Sequence, residues 1–346
     1  MRLPGETEST PVSVVIVNYN GRYLLGDCLD SMKEQTFREF EIILVDNAST
    51  DGSVEFVKNN YPEVKIVCNE ENLGYGGGNN AGIRVAKGEY IVLLNNDTKP
   101  HQHWLQALVE AADGDSRVGM CASKILSFDD PEIIDNTGLL MYPDGIARGR
   151  GRLERDRGQY DSQLDVFFPS GCAALYRKAM LDDIGLFDED FFLYMDDVDI
   201  GLRGRLAGWR CVYVPEAVVY HKYSATVSPY SPMKAYLVER NRLWIVIKYF
   251  PLHMIITSFY HTFVRYLYQA YGIARGRGAG SKLARSESVF SGICLLVRAY
   301  LSAIKGSGKM LRRRRSFSRI RRITNREFRT LLRRYQLDVR EIALKD

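Results

Sequence analysis

The sequence predicts an α/β fold: a mostly parallel sheet in the first half, followed by a helical extension. Strand and helix signals alternate over the first hundred residues. The strand signals are unbroken β-branched or aliphatic runs, as in strands buried on both faces. Polar residues stand just past the ends of those runs, at the sheet edge where open α/β sheets bind ligands.

Val12–Asn18 (VSVVIVN) predicts the first strand, and residues 23–35 follow with helical spacing at Leu24, Leu25, Cys28, Leu29 and Met32. Phe40–Asp46 (FEIILVD) predicts a second strand, and Ser53–Asn60 a second helix after an Asp51-Gly52-Ser53 turn of capping type. Residues 64–69 predict a short third strand, 79–86 a third helix and 89–95 (EYIVLLN) a fourth strand. This β-α-β-α order implies right-handed crossovers.

Residues 139–163, rich in Gly, Arg and Asp, read as a mobile loop. A helix is expected over 191–207, ended by Gly208, and a strand over 211–215 that soon reaches His221. Beyond about Pro232 the composition shifts. Residues 243–271 are crowded with aromatics but broken by Lys248, Pro251 and Arg265, and a second apolar stretch spans 289–304. Neither has the run of about 20 apolar residues that a spanning helix needs. Four parts are therefore expected: a flexible 1–11, a catalytic domain over 12–231, an aromatic-rich helical region over 232–304 that associates with membrane, and a basic tail over 305–346.

The net charge of +5 conceals an asymmetry, because residues 305–346 hold 15 Lys/Arg against 4 Asp/Glu while the remainder is acidic. A basic tail after amphipathic helices points to an anionic membrane surface, bound peripherally or re-entrantly. A nucleic-acid partner fits poorly with so acidic a main body. No secretory h-region precedes the first strand, so the catalytic part is expected on the cytoplasmic face. The six cysteines form no C-x-x-C pair and read as small apolar residues in a reducing compartment.

Four segments carry candidate chemistry. Asn18, Asp46 and Asn47 end two strands, where a carboxylate can accept hydrogen bonds from a ribose hydroxyl or a pyrimidine imide. Residues 72–80 (NLGYGGGNN) form a glycine-rich entry to a helix in which Gly76, Gly77 and Asn79 would lie near phosphates; the same glycines would also suit a tight turn. Asn95, Asn96 and Asp97 make an oxygen-rich triplet suited to Mg²⁺ or Mn²⁺, or a plain turn. Asp196, Asp197 and Asp199 crowd three carboxylates into four residues. Asp199 has a partner four positions on in Arg203, which leaves Asp196 and Asp197 for proton transfer. His221 reads either as a structural histidine or as a ligand that completes a metal site with Asp97.

In order and spacing, these segments resemble the family 2 inverting glycosyltransferases, particularly the rhamnosyltransferase-like branch. The matching stretches are VSVVIVNYN at 12–20, EIILVDNASTDGS at 41–53, NLGYGGGNNAGI at 72–83, GEYIVLLNNDTKP at 88–100, PSGCAALYRK at 169–178 and FDEDFFLYMDDVDIGLRGRLAGWRCVYVPEAVVYHKYSAT at 187–226. The resemblance implies a nucleotide-diphospho-sugar transferase fold of the GT-A type, with a Rossmann-like mixed sheet. It implies that Asp46 binds the nucleoside and that Asp97 closes the metal-binding D-x-D motif, with Asn95 at its usual first Asp. It implies that Asp197 is the catalytic base beside Asp196, where Glu is more usual, and that His221 is a metal ligand. Ser170 and Gly171 would border the acceptor, with Trp209 packed near that pocket.

The resemblance thus implies a metal-dependent single displacement from a nucleotide-diphosphate sugar, with dTDP-rhamnose the first guess. The acceptor would be a glycan or a polyprenyl-linked glycan in cell-surface polysaccharide synthesis. The alternatives are another nucleotide-sugar enzyme such as a nucleotidyltransferase, and a non-enzymatic module that holds nucleic acid through its basic tail.

Overall fold

The computed structural model describes residues 11–222, 231–286 and 289–345. The flexible segment expected before the first strand lies outside the described residues, apart from Pro11. In chain order the elements are β1 (Val12–Asn18), α1 (Arg22–Lys33), β2 (Phe40–Asp46), α2 (Ser53–Asn60), β3 (Lys65–Cys68), α3 (Gly74–Val85), β4 (Tyr90–Asn95) and β5 (Thr98–Pro100). There follow α4 (Trp104–Asp113), β6 (Val118–Ser127), β7 (Ile134–Asn136), β8 (Leu139–Met141), β9 (Ala147–Gly149), β10 (Ala173–Arg177), α5 (Lys178–Ile184), α6 (Asp196–Leu206) and β11 (Arg210–His221). The last part is helical: α7 (Pro232–Tyr249), α8 (Leu252–Ala274), α9 (Gly278–Ser286), α10 (Val289–Phe317), α11 (Asn325–Arg334) and α12 (Val339–Leu344).

The main sheet has the order β3-β2-β1-β4-β10-β6-β11-β5, with β7 beside β6. The β3-β2-β1-β4 half is parallel, as the crossovers require. β10 then runs antiparallel between β4 and β6, so the sheet is mixed. The central parallel strands β1, β2 and β4 are mainly aliphatic because helices cover both faces. Leu25, Leu29, Leu105 and Leu108 pack on one face, and Ile83, Met180, Leu181 and Ile200 on the other.

Three expectations are corrected. Residues 139–163 are not a loose loop: β8 and β9 form a hairpin, and Met141 and Asp144 are fully buried. Its polar side chains are absorbed by specific partners. The Arg150 guanidinium stands 4.8 Å from the Tyr160 ring and 5.1 Å from the Tyr213 ring. The helix expected from residue 191 begins only at Asp196, because Phe192, Tyr194 and Met195 all take positive φ. The strand expected over 211–215 continues to His221, with Pro215 lying inside a register shift against β6.

The basic stretch after residue 304 is no separate tail, since α10 runs through residue 305 unbroken. Phe317, Phe328, Leu332 and Tyr335 are buried against Phe167, Phe168, Trp244 and Phe250. Several of its arginines meet the acidic body directly. Arg313 pairs with Asp188 at 2.5 Å, Arg322 with Asp183 at 2.7 Å and Arg334 with Asp165 at 3.0 Å. Arg314 donates to the carbonyls of Ile247 and Phe250 and so caps the end of α7. Part of the charge asymmetry is therefore neutralised within the chain.

Candidate active site

The carboxyl ends of β2, β1 and β4 lie side by side and bring Asp46, Asn18 and Asn95 to one edge. Asn18 organises this edge from a fully buried position. Its amide donates to Asp46 Oδ1 at 3.3 Å and Ser49 Oγ at 3.2 Å, and its carbonyl accepts from Asn96 Nδ2 at 2.8 Å. Asp46 Oδ2 accepts the Ser49 backbone N–H at 2.9 Å. A Cβ at Gly21 would stand 2.4 Å from Asn96 Nδ2 and 2.6 Å from Asn18 Oδ1, so only glycine fits there. Asn47 donates to the Gly74 carbonyl at 3.0 Å and fastens the edge to α3.

In the glycine-rich segment Gly76, Gly77 and Gly78 serve the packing of α3 locally. The segment lies inside α3, which starts at Gly74 and not at residue 79. A Cβ at Gly77 would meet Leu73 at 2.7 Å, and one at Gly78 would meet Val17 at 2.7 Å. A Cβ at Gly76 would stand 3.3 Å from Phe187 and 3.9 Å from Asp196 Oδ2. These glycines let α3 approach β1 and the loop before α6. Asn79 is spent inside the helix, where its amide donates to the Tyr75 carbonyl at 3.0 Å.

Beside this edge, β11 carries His221 to Asp97, with His221 Nε2 3.4 Å from Asp97 Oδ1. Asp135, which the sequence reading missed, contacts His221 Nδ1 at 2.7 Å through Oδ2. Nothing in the strand-like stretch around Asp135 marks it, and only the pairing of β7 with β6 brings it there. Arg152 pairs with its other oxygen. Burial opposes a charge on His221, but Cys172 and the carboxylates of Asp135 and Asp97 outweigh it and raise its pKa well above the ordinary value. Asp97 Oδ1 is buried and accepts no aligned hydrogen bond.

A divalent cation at Asp97 and His221 would take the place of the proton on His221 Nε2, with Asp135 orienting the imidazole from Nδ1. Among the described residues no three His, Cys, Asp or Glu side chains converge as a self-sufficient metal cage. Mg²⁺ and Mn²⁺ sites commonly take one or two protein ligands and complete their shell with phosphate oxygens and water.

Across the loop over residues 169–172 lies the acidic pair, in the first turn of α6. Asp197 accepts the Gly171 N–H at 3.1 Å and the Val198 N–H at 2.8 Å. Tyr75 locks the same loop by donating to the Gly171 carbonyl at 2.5 Å. Asp196 is buried, and its Oδ2 has no partner. Burial and the neighbouring Asp197 raise the Asp196 pKa well above the carboxylate range, and burial raises that of Asp197. Asp199 behaves oppositely. Burial would raise it, but Lys248 and Arg203 hold it low, and Tyr249 donates to it at 2.6 Å. It anchors α6 to α7.

Asn95, Ser170, Gly171, Asp196, Asp197 and His221 line one cleft of about 890 Å³. Trp209 is not among its walls, and its expected place near an acceptor pocket is corrected. It follows the far end of α6, roughly 16 Å along the helix from Asp196, where its indole donates to Asp183 at 2.9 Å.

The glycosyl transferase family 2 model matches residues 13–185, half of the chain. The chain belongs to that family. It is 30% identical over 264 residues to the N-acetylglucosaminyl-diphospho-decaprenol L-rhamnosyltransferase of Mycobacterium tuberculosis, covering 67% of this chain and 85% of the relative. It is 33% identical over 220 residues to an uncharacterised glycosyltransferase of Bacillus subtilis, covering 62% and 74% respectively. Among solved structures, a mannosyltransferase from Pyrobaculum calidifontis in complex with GDP-Man and Mn²⁺ superposes with a TM-score of 0.53 at 18% identity, over 90% of this chain and 85% of its own. S. aureus TarS 1–349 superposes with a TM-score of 0.52 at 19% identity, over 94% and 90%. The protein is a family 2 glycosyltransferase of rhamnosyltransferase-like sequence, and its fold is GT-A-like.

Proposed function

We propose that this glycosyltransferase inverts the anomeric centre of a nucleotide-diphosphate sugar by single displacement, with Asp197 as base. The carrying observation is that Asp197 and His221 line one cleft with two successive residues, Gly171 and Cys172, between them, and that Asp97 lies directly behind His221. Asp197 takes the proton from an acceptor hydroxyl. That oxygen attacks the anomeric carbon, the bond to the diphosphate oxygen breaks, and the diphosphate leaves with the electron pair. The raised pKa of Asp197 makes it a stronger base than an ordinary carboxylate, and its two backbone N–H partners hold it in place.

Asp97 and His221 would hold Mg²⁺ or Mn²⁺, which supplies Lewis-acid neutralisation of the diphosphate charge. Asp46, fixed by Asn18 and Ser49, would receive the nucleoside. Ser170, Gly171 and Asp196 border the acceptor side. dTDP-rhamnose is the proposed donor, on the likeness to the mycobacterial rhamnosyltransferase, and that relative's name supports a lipid-linked glycan acceptor in cell-surface polysaccharide synthesis.

The helical region supports work at the cytoplasmic face of a membrane. Among the described residues no helix is long and apolar enough to cross one. α8 instead carries an outward stripe of Leu252, Ile256, Phe259, Phe263, Leu267 and Tyr271, each at least 50% exposed. Such a stripe suits a helix lying in the interface plane. The test of the catalytic reading is Asp197→Asn. Transfer should fall at least about a thousandfold while donor binding, measured by calorimetry, survives; near-normal turnover would overturn it.

A further inference from the structure

The cleft does not stop at the catalytic residues. Its volume of about 890 Å³ lies near the top of the range for small-molecule sites, about 300–1,000 Å³. Beyond Asp197 its wall passes to α7 and α8, where Lys234, Glu239, Arg265 and Tyr266 line it. Arg265 is fully buried, engages Asp144 and Glu239 at 2.7 Å each, and carries its Nη2 without an acceptor. Two helical turns further along α8, about 12 Å at 1.5 Å per residue, the wall is Ala270 and Ile273. It continues through small and aliphatic residues of α9 and α10, among them Gly280, Gly292 and Leu296.

Three features give this inner end a direction. A Cβ at Gly292 would meet nothing within 4 Å, although glycine inside a helix costs about 1 kcal/mol relative to alanine. Gly292 lines the cleft between apolar neighbours, so a side chain there would enter that space. Ile273 and Ile293 line the cleft yet are 42% and 55% exposed, so the apolar end opens to the outside. It opens on helices that carry exposed apolar stripes, the α8 stripe described above and Phe290, Val297, Leu301 and Ile304 on α10.

We propose that this inner end seats the isoprenoid chain of a lipid-diphosphate-linked acceptor. Lys234 faces its diphosphate with the buried Arg265 guanidinium behind it, and the chain leaves past Ile273 and Ile293 toward the bilayer. This rests on the lipid-linked acceptor reading and adds a location to it. The Asp196–Asp197 pair stands at the reacting end, the Lys234, Glu239 and Arg265 group follows, and hydrocarbon comes last. A sugar, a diphosphate and a prenyl chain present themselves in that order.

The test compares two probes, N-acetylglucosaminyl diphosphate esterified to decaprenol or to octanol, titrated onto the full chain in detergent micelles. Wild type should bind the decaprenyl probe at least about tenfold more tightly, since each buried CH₂ adds about 0.8 kcal/mol. Gly292→Phe should raise its Kd about tenfold or more and leave the octyl probe unchanged. Gly280→Leu should do the same; its Cβ would make only an ordinary 3.5 Å contact with Ile273. Gly308→Phe, on the same helix where a Cβ also meets nothing within 4 Å, should change neither probe. If wild type prefers the decaprenyl probe and both Gly292→Phe and Gly280→Leu bind it normally, the location is wrong and the acceptor class stands. If wild type binds neither probe, both readings fall. If Gly292→Phe instead dissociates a dimer of the wild-type chain, a second copy covers this opening and the proposal is overturned.

Discussion

Asp97 Oδ1 lies 3.4 Å from His221 Nε2, buried, with no aligned hydrogen bond, while Asp135 occupies the other imidazole nitrogen at 2.7 Å. In the proposed metal site Asp97 is a ligand and Asp135 orients the imidazole. Asp135→Asn should weaken Mn²⁺ binding about 10–100-fold without removing a proposed ligand, and Asp97→Asn should weaken it further. Electron paramagnetic resonance titration of Mn²⁺ with a nucleoside diphosphate present reads both. Unchanged Mn²⁺ affinity in Asp97→Asn would remove the metal from this position.

The two carboxyls of the acidic pair should not be interchangeable. Burial and the neighbouring Asp197 push the Asp196 carboxyl well above the ordinary carboxylate range, and its Oδ2 has no partner, which favours the pair's proton residing on Asp196 rather than on Asp197 with its two N–H donors. Asparagine resembles a protonated aspartic acid, so Asp196→Asn should keep transfer within about tenfold of wild type, against the large loss expected in Asp197→Asn. The acid limb of the pH–rate profile should lie above the ordinary carboxylate range, because Asp197 must lose its proton to act. A profile flat down to about pH 4 would contradict this.

The helical region is tied to the catalytic domain by buried charge. Glu239 Oε1 lies 2.7 Å from Arg265 and Oε2 2.9 Å from Arg242, while Arg265 reaches Asp144 on the β8–β9 hairpin at 2.7 Å. Removing one partner strands the others, so Glu239→Gln should destabilise the fold by about 3–5 kcal/mol in urea denaturation. Burial would raise the Glu239 pKa, but Arg265 and Arg242 lower it from 4.5 to about 2. Its contribution to stability is therefore full above pH 4.5 and is lost as pH falls toward 2. The slope of melting temperature against pH in that window should flatten in Glu239→Gln.

Membrane attachment should depend more on the α8 stripe than on the arginines as a group. Arg313, Arg314, Arg322 and Arg334 already have partners inside the chain. Phe259→Asp with Phe263→Asp should abolish co-sedimentation with phosphatidylglycerol vesicles at unchanged melting temperature, since both side chains are exposed. Replacing the exposed Arg312 and Arg315 by Ser should only weaken it, and more at low salt than at high. Retention of the double Phe variant on vesicles would count against in-plane binding by α8.

The parallel half of the sheet was legible because strands buried on both faces must be aliphatic, and the observed β1, β2 and α2 have the expected bounds. The candidate residues Asp46 and Asp97 stood out as polar positions after strands, and Asp197 as part of a carboxylate cluster inside an expected helix whose start at Asp196 only the structure gives. The sequence alone thus determined the family, the α/β core and the candidate segments for the chemistry. Tertiary structure decided what those segments touch. Asp135 reaches His221 through strand pairing across 86 residues of chain, and Trp209 is carried away by the length of α6. The basic stretch finds carboxylates such as Asp188 and Asp165 that precede it by well over a hundred residues. Local pattern records which face of an element is apolar. The partner of a buried charge is set by packing between elements distant in sequence, and no local spacing encodes it.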